Sequence, residues 1–354
     1  MAQQTKGWGN DNGGLMAALA FAVGALGTAG AVRAWLRSRA AIDLNGKNVL
    51  VTGGSRGLGL ILARKLAAKG AKIVICARDA EELTRARQDI IAAAPQGAVA
   101  ITLVCDLSAA SQIQKLVGDA EAQLGGPIEV LIHNAGIIQV GPMETQTETD
   151  YQEAMNVHFW AAYHLTQAVL PSMRERRAGR IALIASLGGK APIPHMLPYC
   201  TSKHALVGYG EGLHAELLKD NIRVTTVCPG TIRTGSPRNA YFKGQHDKEY
   251  TWFYLSDSLP GLSQSADACA NEIIDAVIHG DAEIITSLPA KALALFHGIL
   301  PGVSTDLMGQ VNKLLPASGG IGTERRKGYE SQMLISPGIL TALAKKAEDD
   351  NNQK

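Results

Sequence analysis

Hydrophobic and polar positions switch between two periods along residues 41–288. Short apolar, β-branched-rich runs predict strands at Val49–Val51, Val74–Ala77, Val99–Cys105, Ile128–Ile132, Ile181–Ala185, Arg223–Val227 and, briefly, Glu283–Ile285. Helical spacing between them predicts helices at Leu60–Lys69, Asp79–Ala94, Ser108–Leu124, Thr149–Leu170 and Pro198–Lys219. Strand–helix alternation of this kind implies an α/β fold, a doubly wound parallel sheet of Rossmann type with helices on both faces. No internal repeat interrupts it. Beyond residue 288 the alternation stops.

The pattern divides the chain into an N-terminal hydrophobic helix with a basic flank (1–40), a Rossmann-type domain (41–288) and a helical extension with a polar tail (289–354). Gly13–Val32 carries no charge and is long enough to cross ~30 Å of hydrocarbon. Arg33, Arg37 and Arg39 follow it, so the positive-inside rule predicts a single-pass anchor with the main domain in the cytoplasm and the membrane as a partner. Two rival readings are a cleaved signal peptide ending at Ala29-Gly30-Ala31 and an apolar helix docked on the domain. Near the other end, Leu307, Met308, Val311, Leu314 and Leu315 fall on one helical face. That face packs on the domain, covers a pocket or rests on a membrane; packing is the plainest of the three. Residues 318–332 and 345–354 read as loosely ordered.

Composition adds little. A hydrophobic content of 46% permits a large core, and a net charge of +2 gives no reason to expect nucleic acid. The five cysteines show no C-x-x-C spacing and read as buried free thiols of a reducing compartment. The nine histidines form no ligand cluster, so no metal is expected.

Chemistry is concentrated where the predicted strands end. After the first strand, glycines at 53, 54, 57 and 59 turn the chain into a helix, which sets unpaired N–H groups and a helix N-terminus where a pyrophosphate binds. The second strand ends in Ala77-Arg78, without the carboxylate that would bond ribose hydroxyls. Together with Arg56 in the glycine turn, Arg78 suits a 2′-phosphate, favouring NADP over NAD; otherwise both are surface arginines. Asp79 reads as a helix cap. Asp106 closes the third strand, either bonding an adenine amino group or capping the next helix. His133-Asn134-Ala135-Gly136 closes the fourth with small residues. Ser186 ends the fifth, and Tyr199 and Lys203 follow, four apart on one helix face. A phenol ordinarily ionises near pH ~10, and a neighbouring ammonium lowers that value.

With these stretches in order, the sequence resembles a short-chain dehydrogenase/reductase over about 44–287. The family's T-G-x-x-x-G-x-G stands as Thr52–Gly59 and its N-A-G as Asn134–Gly136. Asn156 matches its helix asparagine, which holds the lysine and a water. Pro229-Gly230 with Ile232 and Thr234 resembles its nicotinamide-contacting segment. His133 stands where the family usually has a further asparagine. The resemblance implies that Tyr199 is the acid/base, that Lys203 lowers its pKa and binds ribose, and that Ser186 polarises a carbonyl. It implies cofactor contacts from Gly53, Ser55, Arg56, Gly57, Leu58, Gly59, Arg78, Asp106, Asn134, Gly136, Tyr199, Lys203, Ile232 and Thr234.

The expected activity is NADP-dependent hydride transfer between nicotinamide and a small-molecule carbonyl or secondary alcohol. The alternative is a dinucleotide-sensing or scaffold protein with little turnover. The stretch from Gly235 to Leu262 holds Tyr241, Phe242, Tyr250, Trp252, Phe253 and Tyr254. It reads as a greasy pocket roof, ordinary core or a contact in a homo-oligomer, and as a roof it implies an apolar, lipid-like substrate.

Overall fold

Seven parallel strands form the sheet, in the order β3-β2-β1-β4-β5-β6-β7. They are β1 (Asn48–Thr52), β2 (Lys72–Ala77), β3 (Ala100–Val104), β4 (Val130–His133), β5 (Gly179–Ile184), β6 (Ile222–Cys228) and β7 (Glu283–Ile285). The connecting helices are α1 (Gly57–Ala68), α2 (Ala80–Ala92), α3 (Ala110–Leu124), α4 (Glu148–Met155), α5 (Ala161–Arg176), α6 (Leu197–Leu217), α7 (His246–Ser258) and α8 (Ala266–His279). α9 (Leu288–Ile299), α10 (Pro301–Asn312) and α11 (Ile339–Asp350) follow. This computed structural model describes residues 30–259, 261–334 and 339–353.

Strands β1, β4 and β5 are buried along their whole length. Helices cover both faces of a parallel sheet, so its central strands read as continuous apolar runs rather than alternating ones. Leu116, Val117, Leu165 and Val169 from α3 and α5 pack with Leu131, Ile181 and Leu183 of the sheet. The chain leaves edge strand β3 and returns as β4 beside β1. The β1/β4 junction is therefore the switch point, and a crevice opens at the carboxyl ends of both strands.

The helix predicted from Thr149 to Leu170 is instead three pieces. α4 passes into a π-helical turn at Asn156–Trp160, and α5 runs on past Pro171 to Arg176. Half of the six aromatics of the 235–262 stretch are core: Phe242, Tyr250 and Tyr254 are buried with Val140 and Met196, and Trp252 and Phe253 pack partly buried against them. The expected packing of the α10 row is not found, since Leu307, Val311 and Leu314 are exposed, as are Leu295, Ile299 and Val303. Residues 318–332 are less loose than their composition suggests. Arg326–Lys327 pairs antiparallel with Tyr241–Phe242, and the charged ends of Arg325 and Lys327 lie 4.5 and 3.8 Å from the Tyr241 ring centroid.

The chain divides between Ile42 and Asp43. In the first part, residues 30–40 are helical, and the Arg39 guanidinium lies 4.2 Å over the Trp35 ring. The single-pass anchor is corrected here. Among the described residues no helix is long and apolar enough to cross a membrane. Residues 13–29 of the expected span lie outside the described residues, and the helix over 30–40 carries Arg33, Arg37 and Arg39, which hydrocarbon disfavours. The membrane as partner, and the single-pass placement with a cytoplasmic domain, fall with it.

Candidate active site

One cavity of about 660 Å³ runs along the carboxyl ends of the strands. Ala77, Arg78 and Asp106 line one end, Gly53, Ser55–Leu58 and Asn134–Gly136 the middle, and Ser186, Tyr199, Lys203 and Pro229–Ile232 the other.

The middle is set by close backbone approach. A Cβ at Gly59 would lie 2.2 Å from the Gly53 carbonyl oxygen and 2.5 Å from Asn134 Nδ2, so only glycine fits. Asn134 Nδ2 donates to the carbonyls of Thr52 and Gly53, both at 3.2 Å. Thr52 Oγ1 accepts the N–H groups of Asn134 and Ala135, both at 3.1 Å. These bonds lock the glycine turn to the end of β4 and aim the N-terminus of α1 at the cavity. Such a cradle, with a helix dipole behind it, fits a pyrophosphate.

At the far end Ser186, in extended conformation after β5, accepts the Gly188 N–H (3.1 Å) and hydrogen-bonds Tyr199. α6 places Lys203 one turn beyond, its Nζ 5.6 Å from the Tyr199 ring centroid and donating to the Ile184 carbonyl at 2.8 Å. Burial raises the Tyr199 phenol to about 12, the Ser186 hydrogen bond opposing it. Burial likewise lowers Lys203 to about 7. The expected lowering of the phenol is therefore not what this state shows: desolvation disfavours both charged forms, and the phenol keeps its proton at neutral pH.

Behind them lies a buried hydrogen-bond network that sequence reasoning missed. His158 Nε2 accepts the Ile137 N–H (3.1 Å), so its proton sits on Nδ1 and bonds Ser202 Oγ (2.7 Å). Ser202 in turn donates to the Tyr199 carbonyl at 2.8 Å. His133 bridges Thr52 Oγ1 and the His158 carbonyl, both at 3.2 Å. Burial holds both imidazoles neutral, His133 at about 3 and His158 well below its ordinary value. Asn156 opens the π-turn and makes no hydrogen bond to Lys203 among the described residues; its carbonyl accepts the Ala161 N–H.

At the first end Arg56 is spent on Glu82 (2.7 Å), which also accepts from Ser55 Oγ (2.9 Å). Arg78 is exposed, lines the cavity and has no ion-pair partner among the described residues. Asp79 caps α2 by accepting the Glu82 N–H (2.8 Å). Asp106 is used locally, accepting the Ser108 N–H (3.0 Å) and hydroxyl (2.8 Å). Thr234 is buried on the cavity wall and accepts the Ser236 N–H at 3.2 Å. Three other wall residues carried no sequence signal: Glu82, Gln353 and the buried Asp257, whose carboxyl is pushed up to about 8 by burial.

A sheet whose switch point opens on such a glycine turn defines the class of dinucleotide-binding folds. Residues 47–242 match the short chain dehydrogenase family, and the chain belongs to it. It is 40% identical over 206 residues to a dehydrogenase/reductase SDR family protein 7-like of Anopheles gambiae, covering 57% of this chain and 64% of that one. The Drosophila melanogaster protein of the same name is 32% identical, with 74% and 79% covered. A ketoacyl reductase, HetN, of Nostoc is 39% identical, with 53% and 64% covered. The chain thus spans less than two thirds of the Anopheles and Nostoc proteins. Among solved structures, a short-chain dehydrogenase from Streptomyces avermitilis superposes with a TM-score of 0.65 at 27% identity, covering 76% of this chain and 98% of that one. A metagenomic short-chain oxidoreductase in complex with NADP gives 0.55 at 29%, covering 69% and 98%.

Proposed function

We propose that this chain is an NADPH-dependent carbonyl reductase acting on an apolar, lipid-like substrate. The observation that carries the reading is the Tyr199 hydroxyl, hydrogen-bonded to Ser186 in the same cavity as the phosphate cradle. The nicotinamide, when bound, supplies the hydride. Ser186 then holds the substrate oxygen, and Tyr199 gives it a proton. Lys203, tied to the end of β5, fixes the electrostatics beside the phenol. Ile138, Ile193, Met196 and Phe253 on the wall near Tyr199 support an apolar substrate. Arg78 beside the neutral Ala77 supports NADPH, as does the likeness to a relative solved with NADP. Purified protein should oxidise NADPH against some member of a panel of ketones, aldehydes and long-chain carbonyls, with the most apolar favoured. No turnover across the panel would defeat the reading.

A further inference from the structure

The residues after α11 reach the cavity, where Gln353 is part of the lining. α11 packs on α7 and on the short strand Ile232–Arg233, and delivers Asn351–Gln353 to the glycine turn. The Gly57 N–H donates to the Asn351 carbonyl at 2.9 Å. Asn352 Nδ2 donates to the carbonyls of Ser55 (2.8 Å) and Glu82 (3.2 Å), and Arg85 Nε donates to Asn352 Oδ1 (3.0 Å). Arg64 reaches the Asp350 carbonyl at 2.9 Å. Asn351 and Gln353 are only 5% and 3% exposed, and enclosing polar residues so far costs free energy unless their groups find partners.

Gln353 is satisfied on one side only. Its Oε1 accepts from Asn239 Nδ2 (2.7 Å), while its Nε2 has no acceptor among the described residues. That Nε2 lies 2.8 Å from where a side chain at Gly57 would begin, on the cavity wall. The cavity of about 660 Å³ is the space left with Asn351–Gln353 in place, and Gln353 is the one of the three that lines it. They take the Gly57 N–H away from any incoming anion and offer the Gln353 amide beside it. An N–H donor next to the positive end of α1 suits an anionic oxygen.

Building on the dinucleotide reading of this cavity, we propose that Asn351–Gln353 are a strap belonging to the cofactor site, with Gln353 Nε2 a donor to a phosphate oxygen of the dinucleotide. The test is NADPH binding to the full chain by fluorescence titration, with dissociation followed by stopped flow. Gln353→Ala keeps the backbone bonds of the strap and should raise Kd by roughly tenfold, mostly through faster release. Gln353→Glu, of equal size but charged, should weaken binding further. A chain ending at Asp350 should release NADPH faster still. If that truncation fails to fold, the two point variants decide. Unchanged affinity in both overturns the strap, as does tighter binding by the truncated chain, which would make the segment an obstruction. A full chain that binds neither NADPH nor NADH overturns the dinucleotide reading itself.

Discussion

Lys203 sends its ammonium nitrogen to the Ile184 carbonyl at 2.8 Å, not to the hydroxyl of Tyr199, whose ring centroid lies 5.6 Å away. The lysine is thereby anchored to the end of β5, and burial keeps the phenol protonated to about 12. A protonated phenol is ready to donate, so carbonyl reduction should lose nothing to Tyr199 ionisation through the neutral range, and any change near pH 7 should follow Lys203, which burial lowers to about 7. Alcohol oxidation needs the phenolate, whose fraction rises tenfold per pH unit below its pKa. Its kcat/KM should climb with pH, approaching that slope. Tyr199→Phe should lower kcat by about 10² or more in both directions while NADPH still binds. Near-normal turnover in that variant would remove Tyr199 from the chemistry.

Arg56 and Arg78 are not equivalent, since Glu82 holds the first and no ion-pair partner among the described residues holds the second. Arg78→Ala should weaken NADPH binding roughly ten- to hundredfold and leave NADH nearly unchanged. Glu82→Gln removes the carboxylate and frees Arg56, so the NADPH/NADH ratio should rise. Titration of both cofactors against both variants checks this. The two cofactors are read separately: a gain in NADPH affinity is the effect of the freed Arg56, whereas a loss of NADH affinity with NADPH unchanged would show that the carboxylate binds ribose hydroxyls, the signature of NAD preference.

Local pattern made the sheet, the glycine turn and the Ser186–Tyr199–Lys203 order legible, because strand period, glycine and helical spacing are all short-range signals. What stayed hidden arises between distant segments. Glu82 reads as one more acidic residue in the first turn of α2, and only the fold sets it against Arg56. Residues 351–353 look like a polar tail, and their role follows from contacts almost three hundred residues away in sequence, at Ser55 and Gly57. Burial is also invisible in a motif: Y-x-x-x-K suggests a lowered phenol, whereas desolvation dominates in the folded site. The aromatic stretch was ambiguous for the same reason, since Phe242 and Phe253 look alike until one is core and the other wall.

Asp150 and Lys243 form an ion pair that is almost wholly buried. Burial pushes the carboxyl up, but hydrogen bonds from Lys243 and Thr147 outweigh it and hold it below the ordinary carboxylate value. Lys243→Met would strand that carboxylate, at a cost of about 3–5 kcal/mol. Adding Asp150→Asn should recover much of the loss. Denaturant unfolding of the parent and the two variants measures it, and a single-variant loss below about 1 kcal/mol would mean that water reaches the pair.

His133 and His158 make the fold sensitive to acid. His158 Nε2 accepts the Ile137 N–H, and Nδ1 of His133 meets Thr52 Oγ1, a hydroxyl already accepting two N–H groups. Protonating either ring sets two donors face to face. An unfolded histidine takes its proton near pH ~6.5, whereas burial keeps His133 neutral down to about 3 and His158 well below its ordinary value. Between these limits the unfolded state binds more protons, so stability rises with pH and is lost as pH falls from ~6.5 towards 3. Well below 6.5 each histidine contributes up to about 1.4 kcal/mol per pH unit to that slope. His133→Asn cannot take up the proton, so its stability should fall less steeply with acid than the parent's, whatever its value at pH 7. Denaturant midpoints between pH 7 and 4.5 compare the slopes. Parallel curves for parent and variant would show that His133 is not among the groups that drive acid unfolding.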